Sequence, residues 1–136
     1  MAKSVVVSSI LIVLLMITRI YTCNANAAEQ SYVDFVKETI SSHPIVIFSK
    51  SYCGFCKRAK AVFAELNQMP FVVEIDQRDD GYKIQDALME VVGQRTVPQV
   101  FINGQHIGGS TDTVHAYESG DLAMLLVIDP ANKVEL

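Results

Sequence analysis

Apolar residues in this chain occur in two patterns, at helical spacing and in short continuous runs. From residue 28 to 42 they recur at helical spacing as Val33, Val36 and Ile40, which predicts an amphipathic helix. The run from Ile45 to Phe48 is entirely apolar and rich in β-branched residues, as expected of a strand covered on both faces. From residue 28 onward, the chain is therefore predicted to begin with a helix and a buried strand.

The next segment predicts a second helix and a second strand. Four apolar residues follow at positions i, i+3, i+4 and i+7: Ala59, Val62, Phe63 and Leu66. Pro70 ends this helix, and Phe71 to Ile75 supplies the second strand. Strand, helix and strand in this order predict a βαβ unit with a parallel strand pair.

The rest of the chain predicts a third helix, a hairpin and two short helices. The apolar positions of the third helix are Ile84, Ala87, Leu88 and Val91. Gly93 is a suitable C-cap, and Asn103-Gly104 predicts a type I′ hairpin turn because both turn positions need positive φ. The resulting order α, βαβ, α, ββ, α, α predicts an α/β protein with a thioredoxin-like fold, in which helices flank a central four-stranded mixed sheet.

The first 27 residues differ in composition from the rest of the chain. Lys3 precedes an apolar run from Val5 to Ile17, and Ala25 and Ala27 have the spacing of a signal-peptidase site. The run is shorter than the roughly 20 residues that a membrane-spanning helix needs. We therefore predict a secretory signal peptide that is cleaved after Ala27, with an uncleaved signal anchor as the alternative.

This leader also predicts the domain organisation and the location of the protein. Residues 1–27 are the predicted signal peptide, and residues 28–136 form one predicted domain without a membrane span. The expected location is the secretory pathway, either the lumen of the endoplasmic reticulum or Golgi or outside the cell. The cytoplasm is the alternative.

Charge and cysteine content narrow the function classes. The chain has 136 residues with 11 Lys and Arg, 15 Asp and Glu and a net charge of −4, which argues against nucleic acid as a partner. It has only 3 Cys, too few for a disulfide framework. Cleavage of the leader would remove Cys23 and leave Cys53 and Cys56.

These two cysteines lie in the segment "KSYCGFCK", at the predicted junction of the first strand and the second helix. A structural zinc site would need two more ligands, and His43, His106 and His115 are scattered without a ligand spacing. A structural disulfide would close too short a loop to remove much chain entropy. The position at a strand-to-helix junction favours a redox-active pair.

The chemistry of a redox pair assigns different roles to the two thiols. Cys53 must ionise, and the unpaired NH groups and positive dipole at a helix N-terminus favour its thiolate. Lys50 and Lys57 are expected to add positive charge. Cys56 lies one turn further along the helix and is expected to be less solvated, resolving a mixed disulfide formed on Cys53.

The segments "FSKSYCGFCKRAK" and "IQDALMEVVGQRTVPQVFINGQHIGGSTD" resemble those of dithiol glutaredoxins of the plant glutaredoxin-C type, here with a CGFC pair. The resemblance extends from about Ala28 to Val127. It implies a glutathione-dependent thiol-disulfide oxidoreductase that reduces low-molecular-weight disulfides, protein disulfides and protein-glutathione mixed disulfides, with glutathione as co-substrate.

The resemblance also implies a set of residues that bind glutathione beside Cys53: Lys50, Phe55, Gln85, Thr96, Val97, Pro98, Gly109, Ser110, Thr111 and Asp112. Lys50 and the amide of Gln85 would hold the glycine carboxylate. The backbone of Val97 would pair with the cysteinyl part of glutathione like an added strand, at a Val-Pro bond that the family keeps cis.

Two further contacts complete this implied site. Thr111 and Asp112 would bind the γ-glutamyl carboxylate and amine at a helix N-terminus, with Gly108 and Gly109 permitting close approach. Phe55 would flank the cleft. Without the resemblance, residues 110–112 would be interpreted as an ordinary capping turn.

Gly54 stands where most members of the family have proline, and this adds an alternative function. Family members without that proline can hold a [2Fe-2S] cluster between two monomers, each giving one cysteine and one glutathione. The resemblance therefore implies either a monomer or a cluster-bridged homodimer with Cys53 as the protein ligand, acting in cluster binding, cluster transfer or redox sensing.

Overall fold

The computed structural model describes residues 2–127. Within this range the helices are α1 (Ala2–Ser42), α2 (Gly54–Glu65), α3 (Gly81–Val92), α4 (Ser110–Ser119) and α5 (Asp121–Val127). The strands are β1 (Ile45–Ser49), β2 (Phe71–Glu74), β3 (Gln99–Ile102) and β4 (Gln105–Gly108), with a 3-10 turn at Ile75–Gln77. Met1 of the predicted leader and residues 128–136 of the predicted domain lie outside the described residues.

The strands form one mixed sheet in the order β2-β1-β3-β4. Strand β1 runs parallel to β2 and antiparallel to β3, and β4 pairs antiparallel with β3. Helices cover both faces of this sheet. The predicted α/β, thioredoxin-like fold with a central four-stranded mixed sheet is therefore confirmed.

Strand β1 is buried on both faces, as its apolar run predicts. Val46 and Phe48 pack in a cluster with residues of α1 and α3. Ile45 and Ile47 pack on the other face, with residues of α2, α4 and α5. Because each such side chain stabilises the fold by roughly 1.5–3 kcal/mol, β1 is firmly held, and so is the start of the loop that follows Ser49.

The turns follow the sequence pattern closely, with one difference. Gly93 caps α3 at φ 74°, and the Asn103-Gly104 turn has φ 50° and 81°. Ile75, predicted as the end of β2, instead begins the 3-10 turn and is buried. The ladder between β1 and β2 ends at Glu74, and the turn that follows places Asp76 beside Ser51. The Asp76 carboxylate accepts a hydrogen bond from the Ser51 backbone NH at 2.8 Å.

Helix α1 is longer than the sequence pattern predicts, since it begins at Ala2 and not near residue 28. Neither glycine nor proline occurs between residues 2 and 42 to end it. Val33 and Val36 are in the core, but every large apolar side chain from Val6 to Ile20 is at least 41% exposed. Among the described residues, no helix is both long and apolar enough to cross a membrane.

Candidate active site

Cys53 is the N-cap of α2, at the point where the loop after β1 enters the helix. Its backbone is extended, with φ −78° and ψ 116°. Its sulfur accepts a hydrogen bond from the backbone NH of Cys56, at 3.3 Å. The NH of Cys53 itself donates to the Lys50 carbonyl at 3.0 Å. Cys53 is partly exposed, whereas Cys56 is fully buried, and both are free thiols.

The surroundings of Cys53 favour its thiolate. Partial burial acts to raise its pKa, but the Cys56 thiol and the backbone NH groups of Cys56 and Phe55 donate hydrogen bonds to the sulfur. Together with the positive charge of Lys60, these bonds outweigh burial and lower the pKa of Cys53 below that of an ordinary thiol. The helix N-terminus thus acts on the sulfur as predicted.

The environment of Cys56 acts in the opposite direction. Burial, and then the hydrogen bond that its thiol donates to Cys53, raise the pKa of Cys56 above the ordinary value. At neutral pH Cys53 is therefore the better nucleophile and Cys56 the proton-bearing partner. The two thiols of the pair are electronically unequal, which the sequence spacing alone does not establish.

Lys60 is a residue that the sequence analysis missed. The sequence indicated Lys50 and Lys57 as the charges near Cys53, but it is Lys60 of α2 whose charge lowers the Cys53 pKa. The ammonium group of Lys60 is held by an ion pair with Glu74 of β2. Its position two helical turns after the cysteine is the only sequence signal that could have indicated it.

Lys60→Met is expected to shift the alkylation of Cys53 by iodoacetamide toward higher pH. Only the thiolate reacts, so the rate rises with pH to a plateau whose midpoint is the pKa of Cys53. Removing the ammonium raises that pKa because a favourable charge is lost. Rates measured across a pH series give the midpoint directly.

Lys57→Met is the matched control, because Lys57 is also on α2 but is not among the groups that shift the Cys53 pKa. An equal upward shift in both variants would contradict the assignment to Lys60.

The loop before Cys53 is fixed by a contact between Ser51 and Asp76. The Ser51 NH donates to one carboxylate oxygen of Asp76 at 2.8 Å, and its hydroxyl donates to the other. These bonds lower the pKa of Asp76, against a smaller opposing effect of desolvation. Asp76 thus ties the loop of the CxxC pair to the end of β2, a contact between residues far apart in sequence that no local pattern indicates.

The loop before β3 lies against Cys53 on another side. The Val97-Pro98 peptide bond is cis, and the Val97 carbonyl oxygen is 4.0 Å from the Cys53 sulfur. The Gln85 side-chain NH₂ donates to the Arg95 carbonyl at 2.8 Å. The amide that was expected to hold the glycine carboxylate is therefore engaged with this loop in the structure.

The segment after β4 forms a compact turn at the N-terminus of α4. The Gly109 NH donates to the Asp112 carboxylate at 2.8 Å, which is the capping interaction that the sequence offered as the alternative interpretation of this turn. Gly108 has φ 125°, a region that favours glycine. The buried Ser110 hydroxyl has no hydrogen-bond partner among the described residues. Capping thus accounts for one oxygen of Asp112, whereas the Ser110 hydroxyl beside it takes no part in the hydrogen bonds of this turn.

The structure brings most of the predicted site residues together. A Cβ built on Gly109 would lie 3.7 Å from the Pro98 carbonyl oxygen, so the turn after β4 adjoins the cis-proline loop. Phe55 is 66% exposed beside Cys53, as is Tyr52 at 71%. Across residues 2–127, no three His, Cys, Asp or Glu side chains are grouped so that one chain could hold a metal ion.

Comparison with known proteins agrees with this geometry. The sequence profile of the glutaredoxin family matches residues 45–107. The chain is 64% identical to glutaredoxin-C4 of Arabidopsis thaliana over 112 residues, which is 82% of this chain and 83% of that protein. It belongs to the glutaredoxin family, as a plant-type member, and is a thiol-disulfide oxidoreductase.

Solved glutaredoxin structures are also similar to this one. A buckwheat glutaredoxin-glutathione complex is 40% identical, with a TM-score of 0.71 over 73% of this chain and 90% of that one. The holo form of glutaredoxin C1 from Populus tremula x tremuloides is 41% identical, with a TM-score of 0.69 over 71% of this chain and 95% of that one.

Proposed function

We propose that this glutaredoxin reduces protein-glutathione mixed disulfides, low-molecular-weight disulfides and protein disulfides, with Cys53 as nucleophile and glutathione as reductant. The unequal pKa values of the two thiols carry the proposal. Cys53 is the more accessible sulfur and has a lowered pKa, whereas Cys56 is the buried sulfur and has a raised one. A substrate disulfide therefore meets the reactive thiolate first.

The reaction with a glutathionylated protein needs two exchanges. The Cys53 thiolate attacks the glutathione sulfur, a Cys53-glutathione disulfide forms, and the protein leaves as a thiolate. A second glutathione thiolate then attacks the glutathione sulfur on Cys53, releasing glutathione disulfide and restoring the Cys53 thiolate. Each mixed disulfide therefore consumes one free glutathione, and the glutathione carried by the substrate forms the other half of the glutathione disulfide released.

A protein disulfide is reduced through Cys56 instead. After Cys53 forms a mixed disulfide with the substrate, Cys56 loses its proton and attacks the Cys53 sulfur, so the substrate leaves reduced and a Cys53-Cys56 disulfide remains. Two glutathione molecules then restore both thiols. Burial of Cys56 beneath Cys53 favours attack on a disulfide already attached to the chain.

The proposed glutathione site consists of the residues that surround Cys53. Lys50 would hold the glycine carboxylate, the Val97 backbone would pair with the cysteinyl part, and Asp112 would bind the γ-glutamyl amine. Phe55, Gln85, Thr96, Pro98, Gly109, Ser110 and Thr111 complete the proposed set. The unpartnered Ser110 hydroxyl and the likeness to a glutathione complex of buckwheat glutaredoxin support this site.

The test is reduction of a glutathionylated peptide by glutathione, in the presence of the wild type and of variants that each lack one thiol. Activity that depends on Cys53 and not on Cys56 supports the proposed roles. A wild type with no activity above the uncatalysed background would overturn them.

Residues 1–27 are proposed to be a cleaved signal peptide that delivers the domain at 28–136 to the secretory pathway. The exposed apolar side chains from Val6 to Ile20 support this, because they add nothing to the core of the domain. Mass spectrometry of the native protein is expected to find Ala28 at the N-terminus. An intact N-terminus in a cytosolic fraction would contradict the proposal.

A second candidate function is binding of a [2Fe-2S] cluster between two copies of the chain. Such a cluster takes four sulfur ligands, which two Cys53 thiolates and two glutathione molecules can supply. The fit to this donor set is reasonable, because Cys53 is accessible at the end of a helix and a Cβ on Gly54 would meet nothing within 4 Å. The space beside Gly54 leaves room for a partner chain.

Anaerobic reconstitution with iron, sulfide and glutathione is expected to yield a coloured dimer of the wild type and a colourless monomer of Cys53→Ser. Gly54→Pro is expected to take up at least about threefold less cluster, because proline fixes φ at the first helical position and stiffens the turn. Absorption spectra and gel filtration measure both effects. Equal cluster uptake by Gly54→Pro would contradict the role given to Gly54.

A further inference from the structure

Gln99 is a buried polar residue at the start of β3, directly after the cis-proline. Its side chain is engaged at both ends although the residue is only 1% exposed. The amide nitrogen donates to the Thr96 carbonyl at 2.8 Å, to the Gln94 side-chain oxygen at 3.1 Å and to the Thr96 hydroxyl at 3.3 Å. Its amide oxygen lies 2.7 Å from Nε2 of His106 on β4.

These contacts define the orientation of the amide and the proton position on the histidine. A flipped amide would place its oxygen against three oxygens and its NH₂ against the imidazole. In the observed orientation the Gln99 oxygen accepts a hydrogen bond from Nε2, so His106 carries its hydrogen on that nitrogen. Burial lowers the pKa of His106, and the opposing effect of the Asp112 charge is smaller. The lowered pKa keeps the imidazole neutral, with Nε2 as the donor to Gln99.

The far end of this network reaches the active site. Thr96, held by Gln99, precedes Val97, whose carbonyl oxygen is 4.0 Å from the Cys53 sulfur. The other side of the same loop is held where Gln85 donates to the Arg95 carbonyl. Both attachments lie immediately before Val97, and Pro98 and strand β3 follow it, so the Val97 backbone beside Cys53 is supported on both sides in sequence.

We propose that Gln99, oriented by His106, is a positioning residue that holds the Val97 backbone edge in place for the cysteinyl part of glutathione. This inference rests on the proposed function, since it assumes that glutathione pairs with Val97. Without the Gln99 amide the Thr96 carbonyl would lose its hydrogen-bond donor. The loop would then change conformation so that this carbonyl could bind another donor. The edge would then have to be ordered again on each binding event, which weakens binding but leaves the thiolate unaffected.

Gln99→Met tests the proposal, because methionine has a similar length and cannot donate these bonds. Calorimetry with S-methylglutathione, which cannot react with Cys53, is expected to show binding about tenfold weaker, about the effect of one good hydrogen bond. KM for a glutathionylated peptide should rise by a similar factor. The rate of Cys53 alkylation by iodoacetamide should stay within about twofold of wild type, since the α2 N-terminus is intact.

His106→Phe provides a second variant if Gln99→Met does not fold. It removes the donor to the Gln99 oxygen but keeps an aromatic ring against Phe101, so a smaller loss of affinity, about threefold, is expected. Thr39→Val is the matched control, since it removes a buried hydroxyl that donates to the Phe35 carbonyl at 2.7 Å on α1, and it should bind as wild type does.

The outcomes separate the inference from the proposed function. If wild type binds no S-methylglutathione and reduces no glutathionylated peptide, the proposed function fails and the inference with it. If wild type binds and reduces but Gln99→Met, or His106→Phe where only that variant folds, matches it in affinity, the inference alone is overturned. Equal losses of affinity in Thr39→Val and Gln99→Met would also overturn it, because general destabilisation would then explain both.

Discussion

Cys53→Ser is expected to reduce the rate of deglutathionylation by more than about 100-fold, because a hydroxyl does not ionise near neutral pH and cannot replace the thiolate. Every exchange in the proposed mechanism passes through the Cys53 sulfur. The measurement is the steady-state reduction of a glutathionylated peptide, with glutathione as reductant and glutathione disulfide formation as the signal.

Cys56→Ser is the matched variant, since it removes the other thiol of the same turn. It is expected to keep at least about a third of the deglutathionylation rate, because glutathione itself resolves the mixed disulfide. Reduction of a protein disulfide should fall strongly in this variant, since Cys56 is then required. Substantial deglutathionylation by Cys53→Ser, or its loss in Cys56→Ser, would contradict the roles given to the two sulfurs.

Gly108→Ala is expected to raise KM for glutathionylated substrates by about 10- to 100-fold, because it displaces Asp112, the proposed ligand of the γ-glutamyl amine. That range is the effect of losing a hydrogen bond to a charged group. A Cβ at this position would lie 2.3 Å from a carboxylate oxygen of Asp112 and 2.7 Å from its carboxyl carbon. The carboxylate must therefore move away from the Gly109 NH, from which it now accepts a hydrogen bond. Steady-state kinetics and calorimetry with S-methylglutathione measure the effect.

Gly104→Ala separates this collision from backbone strain. Gly104 also has positive φ, 81°, but a Cβ there would meet nothing within 4 Å. Both variants should lower thermal stability, since alanine in the left-handed region costs roughly 1–2 kcal/mol. Only Gly108→Ala should raise KM. A similar KM in the two variants would show that displacement of Asp112 does not affect glutathione binding.

The fold could be predicted well because its determinants are local. The all-apolar run of β1, the Asn103-Gly104 turn and the glycine that ends α3 each act within a few residues, and each was found as predicted. The start of α1 was predicted wrongly, near residue 28. A stretch without glycine or proline continues the helix through the predicted end of the leader.

The site was predicted less completely, because several of its contacts join residues distant in sequence. The position of Cys53 at the N-terminus of α2 followed from the strand-to-helix junction. The contact of Ser51 with Asp76 depends on where β2 ends, and the effect of Lys60 depends on its ion pair with Glu74. Gln99 looked like an ordinary strand residue, since nothing local shows that its amide turns back to Thr96.

The burial of Cys56 beneath Cys53 also affects how the pair responds to peroxide. Peroxide reaches the partly exposed thiolate of Cys53 first and converts it to a sulfenic acid, while Cys56 is screened from solvent. The Cys56 thiol then condenses with that sulfenic acid, with loss of water, to form a disulfide. Because glutathione reduces this disulfide in the proposed cycle, the buried thiol protects its neighbour from irreversible conversion to sulfinic and sulfonic acids.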